Sequence, residues 1–204
     1  RPLDEAPDSI RADITGDVTL TVGGTTAVQV DGLDFQKNNG AGILVIIDDG
    51  TRAWDIGVKD GNDLEYHGFP NPRKETIPQT FTFLPATVSR EADVCLMASS
   101  VQEDRPNIVR FTFDVGGTFD ECQWFNNTGD RDFDAVCKKV TVPANATTMT
   151  IECISAACGG NTNDPASLAW LCAAVAVQPQ LAAIGDYVWY DDDQDGCQDA
   201  AELP

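Results

Sequence analysis

Apolar and polar residues along this chain recur in short runs with a period of two, and almost nowhere with the 3.6-residue period of a capped helix. Residues 13–22 (DITGDVTLTV) alternate, Gly23 and Gly24 turn the chain, and residues 25–30 return, which predicts a hairpin. Residues 42–47 (GILVII) are a continuous apolar run of the kind buried on both faces of a sheet. After the Asp48-Asp49-Gly50 turn, residues 52–58 (RAWDIGV) are its expected hairpin partner, and residues 60–63 (DGND) read as a further acidic turn. More strands are expected over 80–84, 92–99, 107–115, 138–142, 147–154 and 167–177. The last of these follows Asn163-Asp164-Pro165, which can cap a helix, but its Val-Ala-Val ending favours a strand. About ten to twelve short strands separated by turn residues predict an all-β fold, a sandwich of jelly-roll-like character. Gln178-Pro179-Gln180 interrupts the pattern, so residues 1–178 form the expected main domain and 179–204 a linker, a strand and a loop.

Composition narrows this picture. A 204-residue chain that is 42% hydrophobic can bury one substantial core, and no apolar run approaches the roughly 20 residues of a membrane helix. The chain opens on Arg1 rather than Met, as a mature form does once its leader is removed. The net charge of −20 excludes nucleic-acid binding by phosphate neutralisation, since no basic cluster exists to do it.

Seven cysteines with no zinc-type spacing point to disulfides in an oxidising, extracellular or cell-surface setting. The candidates are Cys95, Cys122, Cys137, Cys153, Cys158 and Cys172. Of the fifteen pairings that six cysteines allow, the sequence suggests Cys153–Cys158 across a short loop, Cys122–Cys137 around a turn-rich segment, and Cys95–Cys172 between sheets. That leaves Cys197 for a partner outside the chain. Asn126 and Asn145 begin N-x-[ST] triplets and are glycosylation candidates.

The densest chemistry lies over residues 184–202, IGDYVWYDDDQDGCQDAAE. Its second half matches the EF-hand-like calcium-loop pattern D-x-[DN]-x-[DN]-G-x5-E. Ca²⁺ takes about six to eight oxygens, and alternate Asp side chains supply them as the backbone curls. Asp191, Asp193, Asp195, Asp199 and Glu202 fall at ligand positions, Gly196 permits the sharp turn, and Cys197 lends its backbone carbonyl. The cofactor expected is Ca²⁺. The first half, with Ile184, Tyr187, Val188, Trp189 and Tyr190, is an aromatic and β-branched strand.

Residues 184–199 (IGDYVWYDDDQDGCQD) resemble the opening of the B-type repeats of Sdr-type surface adhesins: a strand of the form IGxYVWxD that runs into a calcium loop. The resemblance covers about a tenth of the chain. It implies a calcium-stabilised β-module with Asp191, Asp193, Asp195, Asp199 and Glu202 as ligands. The chain departs from the pattern at Cys197, where the family has an aliphatic residue, and the strands that complete such a module do not follow. Strand 184–190 therefore needs ladder partners from elsewhere. Its own sandwich, a continuation of the chain, or a neighbouring subunit can supply them, the last by strand donation into an open filament that Cys197 would lock.

For catalysis the sequence offers little. His67 is the only histidine, and neither a G-x-S-x-G elbow nor a phosphate-cradling glycine motif is present. The expectation is a non-enzyme: a secreted or cell-surface structural protein, a filament, appendage or adhesin-like subunit, whose partners are further copies or neighbouring surface proteins. The alternative is a carbohydrate-binding module, with Trp54, Tyr66, Phe69, Trp124 and Phe125 as the aromatics that would stack on glycans.

Overall fold

The computed structural model of the chain describes residues 9–19, 24–32, 34, 38–47, 50, 53–102, 104–126 and 133–180. Eight strands follow in order: β1 (Asp55–Glu65), β2 (Gln79–Thr82), β3 (Arg90–Ser99), β4 (Ile108–Phe113), β5 (Gly117–Cys122), β6 (Phe133–Val142), β7 (Thr148–Ile154) and β8 (Leu168–Val177). They form two four-stranded antiparallel sheets, ordered β1-β8-β3-β6 and β2-β7-β4-β5. The fold is an all-β sandwich, as the period-two pattern requires, and the described residues contain no helix.

Strand β3 shows why. Ala92, Val94, Leu96 and Ala98 are fully buried and face the opposite sheet, while Glu91, Asp93, Cys95 and Met97 alternate outward. Phe111, Met149, Ile151, Leu168 and Val175 meet them from the other strands, and burying each such side chain contributes about 1.5–3 kcal/mol. The outer face of the second sheet is a polar ladder, with Thr80 opposite Thr150, Thr112 opposite Thr118, and Arg110 opposite both Asp120 and Glu152. Gly116, at φ +98°, turns β4 into β5; a Cβ there would also lie 2.6 Å from Pro143.

Four expectations are corrected. Among the described residues, neither 13–19 nor 25–30 forms a strand, so the predicted N-terminal hairpin is absent there. Residues 42–47 are irregular and largely exposed (Ile47 at 71%) rather than a buried strand. They join neither sheet, and β1, their expected partner, pairs with β8. The DGND stretch is no turn: it lies inside β1, which carries an irregularity between Asp60 and Asp63. Residues 167–177 resolve to a strand, β8, as their Val-Ala-Val ending favours.

The disulfides are Cys95–Cys137 and Cys122–Cys158, which replaces the suggested pairing. The register explains it. Cys95 and Cys137 sit directly opposite each other on β3 and β6, whereas Cys172 lies opposite Met97, two residues away in the same sheet. Cys153 points into the core of β7 and is a free buried thiol; Cys172 is free and half-buried.

Candidate functional site

The two sheets stack so that β1 and β2 border one side of the sandwich, where Gly57 approaches the Phe81 ring, and β5 and β6 border the other. On the β5/β6 side a cleft of about 230 Å³ opens, lined by Phe119 and Glu121 of β5, Trp124, and residues 138–141 of β6. Its floor is aromatic. The Phe119 ring stacks on Phe111 at 5.1 Å and on Phe113 at 6.2 Å, and Phe111 meets Trp124 at 5.4 Å. Lys138 alternates inward on β6 and holds its Nζ 4.5 Å from the centre of the Trp124 ring.

Four features describe this side. Among the described residues β6 pairs only with β3 and β5 only with β4, so both walls present free ladder groups, as β1 and β2 also do on the opposite side. Phe119, on a strand exposed along its whole length, is 37% exposed. The indole Nε1 of Trp124 is buried and has no acceptor among the described residues. Both walls are also covalently held: β6 to β3 through Cys95–Cys137, and the end of β5 to the loop after β7 through Cys122–Cys158. An open, aromatic-floored edge with rigid walls is suited to receiving an extended strand, whose backbone completes a ladder while alternate side chains fill the cleft.

A second, enclosed cluster lies at the end of β1. Glu65 is fully buried, and neither carboxylate oxygen meets a hydrogen-bond partner among the described residues. Burial pushes its carboxyl up to about 9; Asp63, Glu75 and Glu152 add to this, and the nearby Ser155 backbone offsets only part of it. The same burial, with Glu65 beside it, pushes the Cys153 thiol well up, which makes it an unreactive core thiol. Glu65 is therefore a neutral acid at pH 7. Beside it His67 donates its backbone N–H to the Ser155 hydroxyl and buries Nδ1 with no partner among the described residues.

The predicted site residues fall in several places. The calcium-loop residues Asp191, Asp193, Asp195, Cys197, Asp199 and Glu202 lie outside the described residues, as do Ile184, Tyr187, Val188, Trp189 and Tyr190. Asn126 and Asn145 are exposed; Asn145 sits in the β6–β7 turn with φ +65°, and the Thr147 hydroxyl of its triplet donates to Asp114. Of the five candidate sugar-stacking aromatics, Trp124 and Phe125 are buried. Tyr66 and Phe69 pack edge to face at 5.3 Å in the loop after β1, and Trp54 is half-buried just before that strand, so the five form no common platform. Phe119, Lys138 and Glu65 were not singled out from the sequence. Phe119 reads as one more strand residue, and Glu65 carries no local mark of burial.

No protein-family model and no curated protein matches the sequence. Among solved structures, one chain in the structure of the infectious bursal disease virus Gx strain is similar at a TM-score of 0.36 and 14% identity, over 74% of this chain and 36% of that one. Dimeric latent PorU from Porphyromonas gingivalis is similar at 0.32 and 11%, over 68% of this chain and 14% of that one. This chain thus spans about a third of the first and a seventh of the second, and likeness at this level carries no functional argument.

Proposed function

We propose that this chain is a secreted or cell-surface structural protein, an adhesin-like or appendage subunit, in which a disulfide-stapled β-sandwich presents an open side to an added β-strand and residues 191–202 supply a structural calcium site. The observation that carries the reading is the β5/β6 side: two edge strands, each tied back by a disulfide, flanking an aromatic cleft. Free edges invite uncontrolled pairing, so a protein that staples two of them beside a cleft with an aromatic floor is built for a specific strand. Disulfides fit an oxidising compartment, and the acidic balance fits a calcium-rich one.

Calcium acts here by binding the folded state. Each tenfold excess over Kd stabilises by about 1.4 kcal/mol. Thermal unfolding of the full oxidised chain, from chelator to millimolar calcium, is expected to show a rising melting temperature that Asp195→Asn abolishes. A melting temperature that ignores calcium would overturn the proposal.

A further inference from the structure

We infer that the β5/β6 side receives the β1/β2 side of a second copy of this chain, so that copies join head to tail and both sheets continue from one subunit into the next. This rests on the reading of the β5/β6 side as a strand acceptor and names its partner.

The topology suits this contact. Each sheet has four strands with every pair antiparallel, so the first and last strands of a sheet run in opposite directions. A copy set alongside in the same orientation therefore brings its β1 antiparallel to β6 and its β2 antiparallel to β5. The sheets have equal numbers of strands, and their open edges fall in pairs, β1 with β2 and β6 with β5, among the described residues. One displacement of four strand spacings, about 19 Å, thus completes both ladders at once. A contact between unlike sides leaves one side free at each end and builds an open filament. The irregularity between Asp60 and Asp63 limits the regular edge of β1 to residues 55–60. On β6, Gly40 and Gly42 pack against Phe133 at the start of the strand, well before Lys138.

Charge selects which sides meet. β1 carries Asp55, Asp60 and Asp63 against Lys59, with Glu65 buried; Arg11 ion-pairs with Asp60. β6 carries Lys138 and Lys139, with Asp134 buried; Lys139 also bonds Asp93 of β3 at 3.0 Å. An acidic β1 edge beside a basic β6 edge is favourable, whereas β1 beside β1 or β6 beside β6 sets like charges together. β2 (QTFT) brings no charge towards Glu121 of β5. Apolar surface agrees. Gly57 and Lys59 of β1 approach the Phe81 ring, so Ile56 and Val58 lie on the opposite face, and both are exposed. Ile77 and Leu84 flank β2 and are 69% and 70% exposed. Their backbone N–H groups donate to Asp63 and Asp55 of β1, which seats them over the seam between the two sheets. The cleft of about 230 Å³ occupies the matching seam on the other side, so these two side chains are the apolar knobs that meet Phe119, Trp124 and the stem of Lys138 in the next copy.

The test is light scattering and negative-stain imaging of the full oxidised chain over a wide range of concentrations, with free thiols blocked so that no intermolecular disulfide contributes. Two one-sided variants accompany it. Ile77→Asn/Leu84→Asn removes the knobs from the β1/β2 side, and Phe119→Asp/Thr141→Asp places carboxylates on the β5/β6 side, against the acidic β1 edge. Urea unfolding of each variant serves as the folding control. The expected result is a parent whose mass grows with concentration into filaments that rise about 19 Å per subunit. Each variant alone stays monomeric, and an equimolar mixture of the two rises about twofold in mass and stops there, because each copy keeps one working side. A parent that stays monomeric overturns the inference, and so does one that stops at a dimer, which marks a two-fold contact between like sides. One-sided variants that assemble as the parent does, or a mixture that stays monomeric, overturn it equally. The calcium-dependent melting above is read on any size of particle, so failure of assembly is distinct from failure of that reading.

Discussion

Replacing Glu65 by glutamine removes a proton-binding group from the interior while keeping its shape. The perturbation is informative because Glu65 is fully buried, neither of its carboxylate oxygens meets a hydrogen-bond partner among the described residues, and three carboxylates push its own up further: Asp63 from its own strand, Glu75 from the following loop and Glu152 from β7. Its carboxyl is raised from an ordinary 4.5 to about 9 in the folded protein, so the native state holds a proton that the unfolded chain releases. The stability that this proton contributes is fully present below about pH 4.5 and is lost as the pH rises towards 9. Between pH 4.5 and pH 7 the loss runs at about 1.36 kcal/mol per pH unit, about 3 kcal/mol in all. Glutamine does not titrate. Glu65→Gln is therefore expected to match the parent near pH 4 and to exceed it by about 3 kcal/mol at pH 7, the gap widening up to about pH 9. Urea unfolding followed by tryptophan fluorescence, without reductant, reads this as a midpoint higher by about 1–2 M at pH 7. A difference between the two proteins that is the same at pH 4 and pH 8 would refute the reasoning, and so would a variant less stable than the parent at pH 7.

Two further outcomes follow from particular contacts. Asp114 accepts the Thr147 hydroxyl first, and then the backbone N–H groups of Thr147 and Thr148, which lowers its carboxyl to about 2. Its contribution is present above about 3.8 and lost as the pH falls through about 2, so Asp114→Asn should flatten the acid limb of the stability profile there and leave the neutral region parallel to the parent. The Cys95–Cys137 bond holds β6 to β3, so Cys95→Ala/Cys137→Ala should lose about 2–4 kcal/mol in urea and speed exchange in β6 before β8. Unchanged exchange in β6 would mean that the ladder alone holds that edge.

Much of the sandwich was legible in the sequence. Ala92, Val94, Leu96 and Ala98 alternate with polar or outward residues, and that alternation alone places them in the core. Residues 42–47 show where the method stops. An apolar run says that burial is favourable, but it does not say which strand will be its neighbour, and β1, the expected partner of 42–47, pairs with β8, more than a hundred residues away in the chain. The cysteines show the same limit, because pairing depends on register across strands far apart in sequence, and Cys95 meets Cys137 only once β3 and β6 are neighbours.

The sequence by itself determined the all-β class, the strands that carry the core and the spacing of the carboxylates over 191–202, because each depends on residues a few positions apart. Only the tertiary structure decided which edges are left without neighbours among the described residues, that both walls of the β5/β6 cleft are disulfide-held, and that Glu65 is sealed in the interior with no counter-charge among the described residues. Those properties arise from packing between distant segments, where the free energy of an edge, a thiol or a carboxyl is set by what lies across the interface rather than by its neighbours in the chain.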